Sequence, residues 1–161
     1  MRAATFLAAL AGASSASAAV FRIAATTISY DWDVTGWSAG CAESGCSYDF
    51  NITGAGNETS KPPRPGFMAY CTGQGEGADY QVCEQLDTED NDARVVAKLL
   101  ASNGTANGTG SAHIQVSLRY TDLETSTTWW NYTGDAFAPY NQFSTPGEEF
   151  TIRPDEVFGV A

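Results

Sequence analysis

Histidine is almost missing from this chain, and basic residues are scarce. A single imidazole, His113, and eight lysines and arginines stand against nineteen aspartates and glutamates, for a net charge of −11. So acidic a surface repels phosphate backbones and anionic lipid, which argues against nucleic-acid and membrane partners. No segment approaches the ~20 apolar residues needed to span a bilayer. Nucleophilic catalysis needs a base beside a Ser or Cys, and one histidine leaves little to build it from. Neither G-x-S-x-G nor H-E-x-x-H occurs. His113 lies in AHIQVSLRY on the face opposite Ile114, Val116, Leu118 and Tyr120, so it reads as a solvent-facing strand residue. The acids allow many carboxylate pairings of the kind used in glycoside hydrolysis, but none stands out. Asp31 and Asp33 flank Trp32 and read as an ordinary polar strand face. Nothing points to an enzyme, and no cofactor is implied.

Cysteine is sparse as well, but its placement is informative. Cys41 and Cys46 bracket AESG, and Cys71 and Cys83 bracket TGQGEGADYQV. Zinc sites favour C-x-x-C spacing with histidines close by, and neither pair meets that pattern. An even count behind an apolar leader reads as two structural disulfides. Four cysteines allow three pairings. The spacing predicts Cys41–Cys46 and Cys71–Cys83, because each bracket is a Gly-containing turn beside β-like sequence, able to bring the Cα atoms to ~5.5 Å.

The compartment is expected from the first residues. Arg2 gives a short positive start, Ala3 to Gly12 an apolar stretch, and Ala16-Ser17-Ala18 a small-residue cleavage site. Residues 1–18 are expected to be a signal peptide, and residues 19–161 one secreted domain with a core of its own. From the EVFGVA segment no lipid anchor is expected. Five N-x-S/T sequons, at Asn51, Asn57, Asn103, Asn107 and Asn131, predict a glycoprotein whose modified asparagines face solvent.

The organisation is all-β. Ile28, Tyr30, Trp32 and Val34 alternate with polar residues, as do Cys46, Tyr48, Phe50 and Ile52, the period of half-buried strands. Asn51 falls on the polar side of the second run. Further strands are expected around Phe67–Thr72, Tyr80–Leu86, Arg94–Leu99, His113–Thr121, Thr127–Thr133 and Glu149–Arg153, with Arg94–Leu99 also readable as a helical turn or two. Gly54–Gly66, Ala101–Ser111 and Ser144–Gly147 are turn-rich connections.

Trp32-x-Val34-x-x-Trp37, the close Cys41/Cys46 pair, Tyr48-x-Phe50-x-Ile52 and the later Cys71/Cys83 pair resemble the Alternaria major-allergen-like secreted proteins of fungi. The resemblance covers most of residues 19–161 in length and order of elements. It implies a single compact antiparallel β-barrel or β-sandwich held by two disulfides. It also implies a fungal source and a role as a secreted effector, elicitor or allergen without catalytic activity. Some family members dimerise through an extra cysteine near the N-terminus, and no cysteine lies between Ala19 and Cys41 here.

Two further stretches are candidates for binding. In the acidic run Glu84–Asp92, Asp87, Glu89 and Asn91 match the first three side-chain positions of a calcium loop. Asp92 then replaces the turn glycine and Lys98 the terminal glutamate, so the run reads as a solvated loop. Trp129-Trp130 is a different matter, since neighbours on a strand point to opposite faces. Trp129 shares its face with Asn131 and is expected on or near the surface, whereas Trp130 is expected inside. Exposed tryptophan stacks on sugars or anchors a protein partner, and Phe137, Tyr140 and Phe143 could extend such a surface. Two functions follow as expectations. One is a non-catalytic effector or elicitor that binds a host extracellular protein or glycan. The other is a carbohydrate-binding module-like domain that uses Trp129, Tyr140 and nearby aromatics.

Overall fold

The alternation of the sequence becomes two packed antiparallel sheets in the computed structural model, which describes residues 18–23, 28–87, 92–101, 110–141 and 147–161. The strands are β1 (Val20–Ile23), β2 (Trp32–Ala42), β3 (Gly45–Gly54), β4 (Phe67–Gln74), β5 (Gln81–Val82) and β6 (Glu84–Gln85). They continue with β7 (Arg94–Leu99), β8 (Ser111–Thr121), β9 (Trp129–Pro139), β10 (Glu148–Ile152) and β11 (Pro154–Val160). One sheet has the order β1-β11-β9-β8-β7-β5 and the other β10-β2-β3-β4-β6. The expected barrel-or-sandwich fold takes the form of a sandwich. Arg94–Leu99 is a strand, not a helical turn, with Val95, Ala97 and Leu99 buried in period two.

The core is filled by complementary sizes. Trp32, Trp37, Phe50 and Ile52 come from the five-stranded sheet and are fully buried. The six-stranded sheet answers with Val95, Ala97, Ile114, Val116 and Leu118, and with small Gly134 and Ala138 on β9. Each large side chain removed from water contributes about 1.5–3 kcal/mol, so this layer is the main source of stability. Aromatic edges tighten it, with Tyr30 meeting Trp32, Phe67 and Tyr132 edge-on at centroid distances of 5.8, 6.3 and 5.5 Å.

The chain crosses between the sheets at both sides of the sandwich. On one side β5 and β6 lie on different sheets, and Cys83 between them is bonded to Cys71 of β4. On the other, β10 passes to β11 through Arg153. Its guanidinium makes a two-pronged contact with Asp31 (Nε–Oδ1 2.6 Å, Nη2–Oδ2 2.8 Å), and these hydrogen bonds hold the Asp31 carboxyl below its usual range. Cys41 and Cys46 face each other across the β2–β3 hairpin. Both expected pairings are present, with Cα separations of 3.9 and 4.3 Å, shorter than anticipated because the partners sit on directly adjacent backbone. Two disulfides with no free thiol belong to an oxidising environment. Among the described residues no helix is long and apolar enough to cross a membrane.

Asn141, just past β9, fastens the two sheets at one end. Its Oδ1 accepts from the Ala39 N–H at 3.0 Å, its Nδ2 donates to the Trp37 carbonyl at 2.9 Å, and its own N–H bonds the Ala39 carbonyl at 2.8 Å. Trp37 Nε1 donates to the Pro139 carbonyl at 2.8 Å in the same corner. Residues 1–17 of the expected signal peptide, Asn103, Asn107, Phe143 and positions 88–91 of the acidic run lie outside the described residues.

Candidate functional site

The outer face of the six-stranded sheet collects the side chains best suited to contact another molecule. Strict pairing of β8 with β9 sets up the rows. Trp129, Asn131, Thr133, Asp135 and Phe137 point outward from β9, opposite Thr121, Arg119, Ser117, Gln115 and His113 of β8. From β11, Phe158 and Glu156 sit beside Asn131 and Thr133. From β7, Val96 and Lys98 sit beside Ser117 and Gln115. The strip from Trp129 to Phe137 is about 26 Å long at ~3.3 Å per residue.

One end is aromatic and cationic. The Arg119 guanidinium lies 4.7 Å from the centre of the Trp129 ring, and the Phe158 ring meets Trp129 edge-on at 5.6 Å. Trp129 is half-buried by these neighbours. Trp130 turns inward as expected and packs against the core, with its Nε1 donating to Asp122 Oδ2 at 2.7 Å. It crosses β11 at Gly159, where an added Cβ would fall 2.7 Å from the indole, so only glycine leaves room for the ring. Burial tends to raise the Asp122 carboxyl, but the bonds from Trp130 and from the Glu124 and Thr125 amides outweigh it and hold it low.

The middle is a polar floor. Ser117 Oγ donates to Asn131 Oδ1 at 3.0 Å and meets Thr133 Oγ1 at 3.0 Å, while Asn131 Nδ2 donates to Thr133 Oγ1 at 3.1 Å. Ser117 and Thr133 are buried although they point outward, because longer neighbours overhang them. Tyr80 lies against the adjoining Gln115 and Lys98. Its hydroxyl donates to Gln115 Oε1 at 2.7 Å and the Lys98 ammonium sits 4.3 Å from its ring centre. Partial burial, and secondarily the charge of Glu156, raises the Tyr80 hydroxyl above its usual pKa.

At the far end, the His113 ring stacks on Phe137 at 4.0 Å and an interplanar angle of 21°. Its Nε2 lies 2.5 Å from Asp135 Oδ2. The histidine is on the outer face as expected, yet only 26% of its side chain is exposed, because Phe137 and Asp135 enclose it. Phe137 itself is 70% exposed. Along β8 on this face, Ser111 lies two residues (~7 Å) from His113, and Ser117, four residues (~13 Å) away, is tied into the polar floor.

The other expected site residues are dispersed. Phe137 ends the same outward strip about 26 Å from Trp129, whereas Tyr140, past the end of β9, does not join it. Tyr140 is half-buried against the core, and its hydroxyl donates to Glu76 Oε1. Asn51 points outward from the five-stranded sheet, between buried Phe50 and Ile52, with Gly36 across from it at a β-bulge with φ +65°. Asn57 is exposed in the β3–β4 loop, where its Oδ1 accepts from the amides of Thr59 and Ser60. From the acidic run, Asp87 Oδ2 accepts from the Met68 amide at 2.9 Å, which gives that carboxylate a structural bond. The group of potential metal ligands among the described residues is Cys41, Cys46 and Glu76, and both sulfurs are in a disulfide and so unable to act as thiolates. No protein-family model matches the chain, and neither a curated protein nor a solved structure does.

Proposed function

We propose that this protein is a secreted, non-catalytic binding domain of the effector or elicitor type, and that the outer face of the six-stranded sheet is its contact surface. The observation that carries the reading is the composition of that face. A rigid β scaffold presents Trp129 capped by Arg119, with Phe158, Tyr80 and an exposed Phe137 along one strip. Tryptophan, tyrosine and arginine dominate protein interface energetics, and side chains held by sheet register lose little entropy on binding. Two sequons bear on the choice of face: Asn131 lies on the six-stranded face with its amide bonded to Ser117 and Thr133, and Asn51 lies on the five-stranded one. Asn51 would place a glycan on the outer surface of the five-stranded sheet and leave the six-stranded one open. The leader-like residues 1–18, the two disulfides and the residue pattern shared with fungal allergen-like proteins support secretion toward a host extracellular protein.

A carbohydrate partner is the second reading, and Phe137 favours it. Sugar rings stack on an open aromatic face, and Phe137 has His113 stacked on it yet remains 70% exposed. Trp129 is less suited, since Arg119 already occupies one face of its ring. Polysaccharide pull-down with Phe137→Ala and Trp129→Ala separates the readings. Glycan binding lost in Phe137→Ala supports carbohydrate. Protein capture from host extracellular fluid, weakened by Arg119→Glu and accompanied by no glycan binding, supports a protein partner.

A further inference from the structure

We propose that the cavity beside Arg64 binds an oxyanion: a sulfate, a phosphate or a carboxylate, free or at the end of a larger molecule. The cavity, about 120 Å³, is lined by Ile28, Ser29, Ser60, Lys61, Arg64 and Tyr132, at the end of the sandwich away from the His113–Phe137 strip. Arg64 comes from the β3–β4 loop and is 8% exposed, a rare burial for a cation. Its Nη1 donates to the Ser29 carbonyl at 2.5 Å, its Nε to Ser60 Oγ at 3.0 Å, and its guanidinium lies 4.8 Å from the Tyr30 ring centre. All three partners are neutral. Among the described residues no carboxylate lies within ion-pair distance of Arg64, in a chain with nineteen acids to choose from.

A guanidinium withdrawn from water is costly until its charge is matched. Arg64 carries five N–H groups, of which its two bonds among the described residues use two. Arg64 itself lines the cavity, beside Ser29, Ser60 and Lys61. Lys61 supplies a second cation at the mouth. Its only ion pair among the described residues is with Glu124 at 3.4 Å, between side chains 78% and 62% exposed. Such a surface pair is weak and readily exchanged for a better anion. Planar guanidinium groups bind carboxylate, sulfate and phosphate through paired N–H donors. The cavity has room for an oxyanion beside the guanidinium. The site is independent of the outer face of the six-stranded sheet, because its residues lie on the loops and inner face at the sandwich end.

The test uses the full secreted protein in chloride buffer of low ionic strength. Sodium sulfate, sodium phosphate and sodium acetate are titrated separately against thermal unfolding and against the 15N–1H resonance of Arg64 Nε. Sodium chloride at matched ionic strength is the control. At least one oxyanion is expected to raise Tm saturably beyond chloride and to shift the Arg64 resonance with the same midpoint. Which salt does so identifies the group recognised. Lys61→Gln, at the exposed rim, keeps the fold and weakens the midpoint about fivefold, the effect of one lost ion pair of ~1 kcal/mol. Arg64→Lys abolishes saturation; if that variant fails to fold, the Arg64 resonance and Lys61→Gln decide. The proposal is overturned if none of the three salts exceeds chloride, or if saturation occurs with the Arg64 resonance unmoved and Lys61→Gln unchanged.

Discussion

Arg119 covers one face of the Trp129 ring at 4.7 Å, and the two residues come from neighbouring strands that pair without a break. Arg119 lies opposite Asn131 and Trp129 opposite Thr121, so the contact is a diagonal across the sheet. A partially exposed cation–π contact contributes about 0.5–1 kcal/mol. Arg119→Ala is therefore expected to lower stability in urea by about that amount and to leave the fold intact. It should also shift Trp129 emission as that ring face opens to water. Unchanged stability together with unchanged emission would show that the cap does not persist in solution.

Glycan occupancy should differ among the sequons. The Asn57 side chain is exposed in its loop, and Asn51 projects from the five-stranded sheet beside Gly36. The Asn131 amide instead bonds both Ser117 and Thr133 in mid-sheet. Peptide mapping of secreted protein is expected to find Asn51 and Asn57 modified and Asn131 bare. A filled Asn131 would break this polar network and cover the surface assigned to binding.

Removing the buried disulfide should cost more than removing the hairpin one. Cys71–Cys83 closes a separation of 12 residues and Cys41–Cys46 one of 5, which correspond to about 3 and about 2 kcal/mol on the chain-entropy model. Cys71 and Cys83 are also buried in the core, where they pin the β5–β6 crossing to β4. Double Cys→Ser variants of each pair, compared by urea unfolding, should fall in that order. The reverse order would mean that the crossing is held mainly by other contacts.

Alkali should unfold the domain through its tyrosines. Burial pushes the Tyr48 hydroxyl up to about 12, from an ordinary value near 10, and pushes Tyr30 and Tyr120 higher still. A folded-state pKa above the unfolded one means that stability is intact below pH 10 and declines as pH rises through 12. Tyrosinate absorbance and far-UV circular dichroism should therefore change together for these residues. Tyr48→Phe loses its bond to the Ala97 carbonyl (2.9 Å) but flattens the decline. Full tyrosine ionisation with the sheet signal intact would contradict the burial.

Much of the fold was legible in the sequence because period-two alternation survives wherever one strand face is buried. Tyr48, Phe50 and Ile52 on β3 and Val95, Ala97 and Leu99 on β7 are examples. The strand β11 was not legible. It starts at a proline, and a bulge between Pro154 and Glu156 shifts the register, so its buried positions do not alternate cleanly. The opposite orientation of Trp129 and Trp130 could be read from strand geometry. Their neighbours could not, since Arg119, Phe158 and Gly159 meet them only through β8 and β11. Arg64 was hidden for a similar reason. Its segment, SKPPRPG, reads as polar turn, and only the packing of Ser29 and Tyr30 against it reveals a buried charge. The three backbone contacts of Asn141 likewise depend on β2, some hundred residues away in the chain.

Capture from host extracellular fluid by the immobilised homogeneous protein tests the central claim most directly. Wild type is compared with Phe137→Asp and Arg119→Glu on the outer face of the six-stranded sheet, and with Tyr70→Asp on the five-stranded sheet, all verified as folded. The account predicts one partner retained by wild type and by Tyr70→Asp and lost from both six-stranded-sheet variants, with no substrate turned over. Equal capture by all four proteins, or hydrolytic turnover that disappears in His113→Ala or Asp135→Asn, would contradict it.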